Sequence, residues 1–175
     1  MNTNFSIEKT IEILERTPLV LETLLNGLSD DWIHASEGEN TWSPYDVVGH
    51  LVHGEKTDWI ARINKILNDE RDKNFEPFDR FAQFEESKGK TMNDLLEEFK
   101  TLRKENLLFL KGIDFSPELF KKTGIHPSFG TVTLQQLLST WAVHDMAHTA
   151  QIARVLAKHF GNEVGPWEEY FRILQ

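Results

Sequence analysis

Apolar residues recur every three or four positions along four long stretches of this chain, the spacing that lines one face of a helix. In the first stretch Ile7, Ile11, Leu14, Val20 or Leu21, Leu24, Leu25 and Leu28 share a face, predicting a helix over 6–26 with Gly27 placed to stop it. Pro18 falls inside that stretch and predicts a kink or a break, because proline has no N–H to give the helix ladder. A second helix opens on Ser43-Pro44-Tyr45-Asp46, which supplies a hydroxyl cap, a proline at the first helical position and a capping acid. Its apolar face continues through Leu51, Val52, Trp59, Ile60, Ile63, Ile66 and Leu67. Thr91 with Asp94 opens a third helix that carries Leu95, Leu96, Phe99, Leu102 and Leu110 up to Gly112. Thr133 with Gln136 opens a fourth, which starts at Leu134 and runs to Phe160 before Gly161.

The connecting segments are informative in their own way. The charged run 68–74 reads as a solvated crossover. Residues 75–89 contain Phe75, Phe78, Phe81 and Phe84, too aromatic for a free linker, and are expected to fold over the bundle or line a pocket. Ser116-Pro117, Gly124, Pro127 and Gly130 read as an irregular loop, and nothing alternates with period two for long enough to predict a strand. The pattern predicts an all-α protein, one domain over 1–175, built as a four-helix bundle in an up-and-down arrangement.

The chemistry concentrates in the fourth helix. His144 and His148 are one turn apart and about 40° apart on the wheel, on the face of Leu134, Leu137, Trp141, Ile152 and Val155. Two imidazoles on an apolar face each bring a polar edge that must be satisfied, and one shared cation satisfies both. The alternative is a pair of core histidines held by ordinary hydrogen bonds. Asp145 lies in the same sector and can orient a ligand ring as an acceptor, or bond a neighbouring helix instead. A third ligand must come from the second helix, where His50 and His53 lie about 60° apart. His50 shares its face with the small residues Gly54 and Ala61 and with Thr57 or Asp58, which leave room for a cleft, so it is preferred as ligand. His53, Trp42, Gly54, Asp58 and Trp141 are then candidates for the pocket wall. Heights along the helices match best if the second and fourth run parallel. His34, His126 and His159 are expected to be structural or exposed, with His126 close enough to the fourth helix to reach the site mouth.

Composition narrows the function further. Hydrophobic residues make up 39% of the chain and charged residues 27%, a globular balance. A net charge of −9 lacks the basic footprint that a phosphate backbone requires, which argues against nucleic acid as a partner. No apolar run is long enough for a membrane span, and residues 1–6 show no basic and apolar leader. The chain has no cysteine, which excludes disulfides, thiolate ligands and a cysteine nucleophile and fits a cytoplasmic protein. Any thiol in its chemistry must arrive with a substrate.

Two blocks resemble a known family. The sequence Thr41-Trp42-Ser43-Pro44-Tyr45-Asp46-Val47-Val48-Gly49-His50-Leu51 resembles the helix opening that bears a ligand histidine in the DinB-like (YfiT-type) superfamily of metalloenzymes. The stretch from Gly130-Thr131-Val132-Thr133-Leu134 to His144-Asp145-Met146-Ala147-His148-Thr149-Ala150-Gln151-Ile152 is similar to that family's closing histidine pair. The resemblance implies a four-helix bundle, a divalent metal, zinc or nickel, on His50, His144 and His148, and a homodimer. It implies a small-molecule substrate, since some members transfer a low-molecular-weight thiol such as bacillithiol, mycothiol or glutathione to an electrophile, while others are described as metal-dependent hydrolases.

The residues themselves leave three functions open: a thiol transferase, a hydrolase, and a metal-stabilised binding module. For hydrolysis, His144-Asp145-x-x-His148 departs from the zincin pattern by carrying aspartate in place of glutamate, and Arg154 stands where a metzincin has its third histidine. Glu55 and Asp58 remain as candidate bases. No Glu-x-x-His pair exists to build a ferritin-like di-iron site.

Overall fold

A computed structural model describes residues 5–68 and 71–175. The helices are α1 (Ile7–Leu25), α2 (Asp30–Ile33), α3 (Pro44–Thr57), α4 (Trp59–Leu67), α5 (Ala82–Glu86), α6 (Met92–Lys111) and α7 (Leu134–Lys158). The long ones form the expected four-helix bundle, with α3 and α4 together making one arm. Three capping boxes set their starts: Ser43 with Asp46, Thr91 with Asp94 and Thr133 with Gln136 each exchange side-chain and backbone hydrogen bonds. No helix among the described residues is long and apolar enough to cross a membrane. Residues 1–4, within the segment read for a leader, and residues 69 and 70 of the charged run lie outside the described residues.

The helices are ordered differently from a simple up-and-down bundle. Helix α1 packs against α6 and α7, and α3 packs against the same two from the other side. Tyr45 at the start of α3 bonds the carbonyls of Ser87 and Lys90 just before α6, while Lys56 near its end pairs with Glu98 at 2.7 Å, so α3 and α6 run parallel. Glu55 meets Trp141 while His50 meets His144 and His148, so α3 runs antiparallel to α7, contrary to the parallel pairing expected from helix heights. A parallel pair needs a long crossover, and the aromatic segment with α5 supplies it. Sequence periodicity carries no information about that choice.

Where the pattern predicts one helix over 44–67, the arm bends at Asp58, whose φ is −108° and ψ −67°. The hydrogen-bond ladder continues through the bend, from the Asp58 N–H to the Gly54 carbonyl and from the Arg62 N–H to the Asp58 carbonyl, each at 3.0 Å. Helix α1 likewise continues past Pro18 without a break. Proline at 18 leaves the Leu14 carbonyl without its usual partner, and the guanidinium of Arg103 donates to that oxygen at 2.8 Å.

The segment read as an irregular loop contains an antiparallel hairpin, β1 (Thr123–His126) with β2 (Gly130–Thr133). Strands of four residues are too short to show alternation, which is why the pattern missed them. The hairpin is tied to the crossover by the Phe75 N–H on the Ile125 carbonyl and the Ile125 N–H on the Lys73 carbonyl, both 2.8 Å. Gly124 lets it sit this close, because a Cβ there would meet the Phe75 ring at 2.3 Å. The end of the charged run, at Lys73 and Asn74, is therefore more than a solvated crossover.

The core divides into two apolar clusters. One gathers Leu14, Trp59, Ile63, Leu110, Leu134 and Trp141, and the other gathers Leu21, Val48, Leu95, Phe99 and Ile152. Between them lies a buried polar layer drawn from all four arms. Arg103 of α6 donates to Asp145 of α7 at 2.6 and 3.0 Å, to Glu55 of α3 at 2.7 Å and to the Leu14 carbonyl of α1. Glu55 also accepts from the Trp141 indole at 3.0 Å and from Asn106 at 2.9 Å. Burial works to lower the Arg103 pKa, and the two carboxylates outweigh it, holding the guanidinium above its ordinary value.

Candidate metal centre

Against this polar layer the structure brings His50, His144 and His148 together. The Nε2 of His144 lies 3.1 Å from the Nε2 of His50 and 3.1 Å from that of His148, and a candidate ligand atom from each of the three falls within 4.8 Å of the others. The backbone directions explain the meeting. Position 50 faces α7 from the second turn of α3, and the i, i+4 pair on α7 stacks its rings toward it.

The protons can be placed. Nδ1 of His148 donates to Oε1 of Gln151 at 2.8 Å, which leaves the His148 Nε2 as a bare acceptor pointing at the cluster. His144 has two nitrogen neighbours on Nε2 and at most one proton there to share. Three ring nitrogens converging with too few protons is an arrangement that one cation resolves. The spacing also suits it, since a tetrahedral site with bonds of about 2.0–2.1 Å sets its donors roughly 3.3 Å apart. Imidazole donors without thiolate or carboxylate fit a divalent transition-metal ion and leave coordination positions open.

Aromatic rings pack around the cluster. Trp42 stacks over His148 with planes 19° apart and lies 4.9 Å from His50, while Trp59 and Phe78 meet His144 and His50 edge-on at 5.2 and 5.4 Å. Burial is the first cause of depressed basicity here, pushing His50 down to about 3 and His144 to about 2 and lowering His148 as well, with repulsion among the rings added for the first two. Neutral imidazole is the ligating form, so the fold holds these rings ready to bind.

A pH dependence follows from those directions. An unfolded histidine takes up a proton as pH falls through about 6.5, while the folded rings do not. Stability of the metal-free protein is therefore full above that value and falls as pH drops from about 6.5 toward 3, the range between unfolded and folded pKa values. NMR of the metal-free protein should show the His50 and His144 rings still neutral at about pH 5; rings that titrate near the free value would contradict the effect of burial on them.

The other residues singled out from the sequence separate clearly. Gly54 and Asp58 line a cavity of about 300 Å³ together with His50 and His144. Trp42 covers the histidines from outside that cavity. His53 lines a neighbouring cavity of about 370 Å³, with Nδ1 2.9 Å from Glu86 and Nε2 3.4 Å from the Thr57 hydroxyl. Trp141 is a core residue stacked on Trp59 rather than a pocket residue. Asp145 does not orient a ligand ring, because both its oxygens are on Arg103. Among the described residues, Nδ1 of His50 and Nδ1 of His144 are buried with no hydrogen-bond partner.

Sequence reading missed three contributors. Arg103 sits in the apolar stripe of α6 between Phe99 and Leu107, an anomaly that marks a buried charge. Gln151 follows His148 by three positions, within reach on a helix. Arg62, which bonds Asp58 at 2.7 Å and lines the cavity, follows it by four. Burial raises the Asp58 carboxyl above its ordinary pKa, with Arg62 pulling the other way.

Comparison with known proteins agrees with this picture. The structure is similar to that of YfiT from Bacillus subtilis, described as a probable metal-dependent hydrolase with an unusual four-helix bundle topology, with a TM-score of 0.75 over 91% of this chain and 92% of that one. The two sequences are 20% identical, so the likeness is one of fold. No curated protein matches the chain by sequence. The model of the DinB superfamily matches residues 13–152, a span that holds all three clustered histidines, and the chain belongs to that superfamily.

Proposed function

We propose that this protein is a metal-dependent enzyme that holds zinc or nickel on His50, His144 and His148 and joins a low-molecular-weight thiol to an electrophile. The observation that carries the reading is the convergence of three Nε2 atoms beside an apolar cavity of about 300 Å³. A divalent cation bound there supplies Lewis acidity, lowering the pKa of a nucleophile that it binds. Absence of cysteine from the chain means that a sulfur nucleophile has to be a co-substrate. Trp59, Phe75, Phe78 and Leu137 line the cavity, bind an apolar body and exclude water from it. Asp58, with its raised carboxyl, stands in the same wall as a proton acceptor steadied by Arg62.

Asp58 also favours a second reading, hydrolysis, in which it serves as general base toward water. The two other candidate bases are engaged elsewhere: Glu55 bonds Arg103, Trp141 and Asn106, and Asp145 bonds Arg103. One preparation separates the readings. Zinc- or nickel-loaded protein is assayed for thiol consumption with glutathione, cysteine or bacillithiol and chlorodinitrobenzene, and for turnover of p-nitrophenyl acetate without thiol. The transferase reading expects thiol-dependent product, lost on metal removal, with a rate rising through an apparent thiol pKa below about 8.5. Ester turnover alone would establish the hydrolase. Silence in both assays would leave a binding module.

A further inference from the structure

The cavity beside the histidines is roofed by the β1–β2 hairpin, and His126 of β1 lines it together with His50 and His144. The Nδ1 of His126 accepts from the backbone N–H groups of Ser128 and Phe129 at 3.1 and 3.3 Å. An acceptor at Nδ1 places the ring proton on Nε2. No group among the described residues bonds that Nε2, so the ring has one donor to offer.

The ring is also held in place. It lies flat on Phe129, with centroids 4.5 Å apart and planes 21° apart, and meets Phe75 edge-on. The hairpin beneath it is fixed by its backbone bonds to Lys73 and Phe75 and by the close packing at Gly124. Several other polar groups in the cavity wall have local partners. The Thr140 hydroxyl donates to the Gln136 carbonyl at 2.7 Å, Gln136 Oε1 accepts from the Thr133 N–H at 2.8 Å, and Asp58 bonds Arg62. Apart from the terminal N–H groups of Arg62 and the amide N–H groups of Gln136, the rest of the wall is aromatic and aliphatic, with the fixed N–H of His126 at its rim.

We propose that His126 is a substrate-binding residue whose Nε2–H donates to an acceptor oxygen on an otherwise apolar, aromatic substrate. The assignment rests on this cavity being the substrate site of the function proposed above. Its role is selection: a substrate with a carbonyl or nitro oxygen at the rim gains a hydrogen bond that a hydrocarbon of the same shape does not. Burial, with Arg62 nearby, lowers the basicity of His126, so the ring is neutral at physiological pH and carries that single proton.

The test uses acetophenone and ethylbenzene, which share a shape and differ in the acceptor oxygen. Their binding to the full-length protein is followed by NMR titration, with and without zinc. Acetophenone should bind about three- to tenfold more tightly than ethylbenzene, the worth of one neutral hydrogen bond. His126→Asn keeps an acceptor near the Nδ1 position for the Ser128 and Phe129 amides and should erase the difference while still binding ethylbenzene. His126→Gln, which returns an N–H near the Nε2 position, should restore part of it. Long-range proton–nitrogen NMR should show the Nε2–H tautomer in the free protein. The proposal is overturned if the wild type does not discriminate, if neither probe binds, if His126→Asn still discriminates, or if the proton is on Nδ1. Because the metal-free protein serves and no turnover is needed, a failed transferase assay does not decide this question.

Discussion

Replacing Arg103 with methionine is expected to cost about 3–5 kcal/mol of folding stability, the range for removing one partner from a buried ion pair. Methionine replaces the aliphatic stem of the side chain and none of its donors. Arg103 is 1% exposed, and its loss would leave Glu55 at 3% and Asp145 at 0% exposure without a cation between them. The Leu14 carbonyl would lose its partner too, and Pro18 has removed the helical alternative. Arg103→Lys should recover only part of the loss, since one ammonium cannot reproduce the fork that meets Asp145 with two nitrogens. A surface pair such as Lys111 with Glu15, half exposed on the lysine side, should by contrast be worth no more than about 1 kcal/mol. Urea unfolding at about pH 7 measures all three variants. An Arg103→Met protein within about 1 kcal/mol of wild type would mean that the polar layer does not hold the four arms together.

The second large effect concerns which histidine of α3 holds the metal. His50→Ala is expected to weaken metal binding by more than about 100-fold, because even changes outside the ligand set can cost that much. His53→Ala should leave it nearly unchanged. The two residues are equally buried, so burial does not distinguish them. Their partners do: His50 faces His144, while both ring nitrogens of His53 are engaged with Glu86 and Thr57. Helical circular dichroism should survive both substitutions. Titration of each variant with zinc checks the pair, and the reverse ranking would place the site on the wrong face of α3.

Much of this architecture was legible in the sequence because it is written in local terms. Caps at Ser43, Thr91 and Thr133 depend on residues three positions apart, and the His144–His148 pair depends on one helical turn. The choice of His50 over His53 rested on the small residues Gly54 and Ala61, and Gly54 does line the cavity. What was illegible depends on partners distant in sequence. Asp145 reads equally as a ring orienter or as a partner for a neighbouring helix; the structure shows the second, and local pattern cannot choose it because Arg103 lies 42 positions away. Helix direction failed for a related reason, since the amphipathic stripe of α3 is the same whichever way α7 runs. Pro18 was read as a defect in α1, but the carbonyl it frees at Leu14 is an anchor for Arg103. The hairpin falls below the length at which alternation is visible, although the closeness of His126 to the fourth helix already puts it within reach of the site mouth, where it lines the cavity.

The central claim is that His50, His144 and His148 together form a metal site. The most direct measurement is metal analysis of wild-type protein loaded with zinc or nickel and dialysed exhaustively, alongside a variant with all three histidines changed to alanine. One metal ion should be retained per wild-type chain and none by the variant, with the imidazole nitrogens of these three residues shifting in NMR when zinc is added. Wild-type protein that retains no metal, or a triple variant that retains as much as wild type, would contradict the claim.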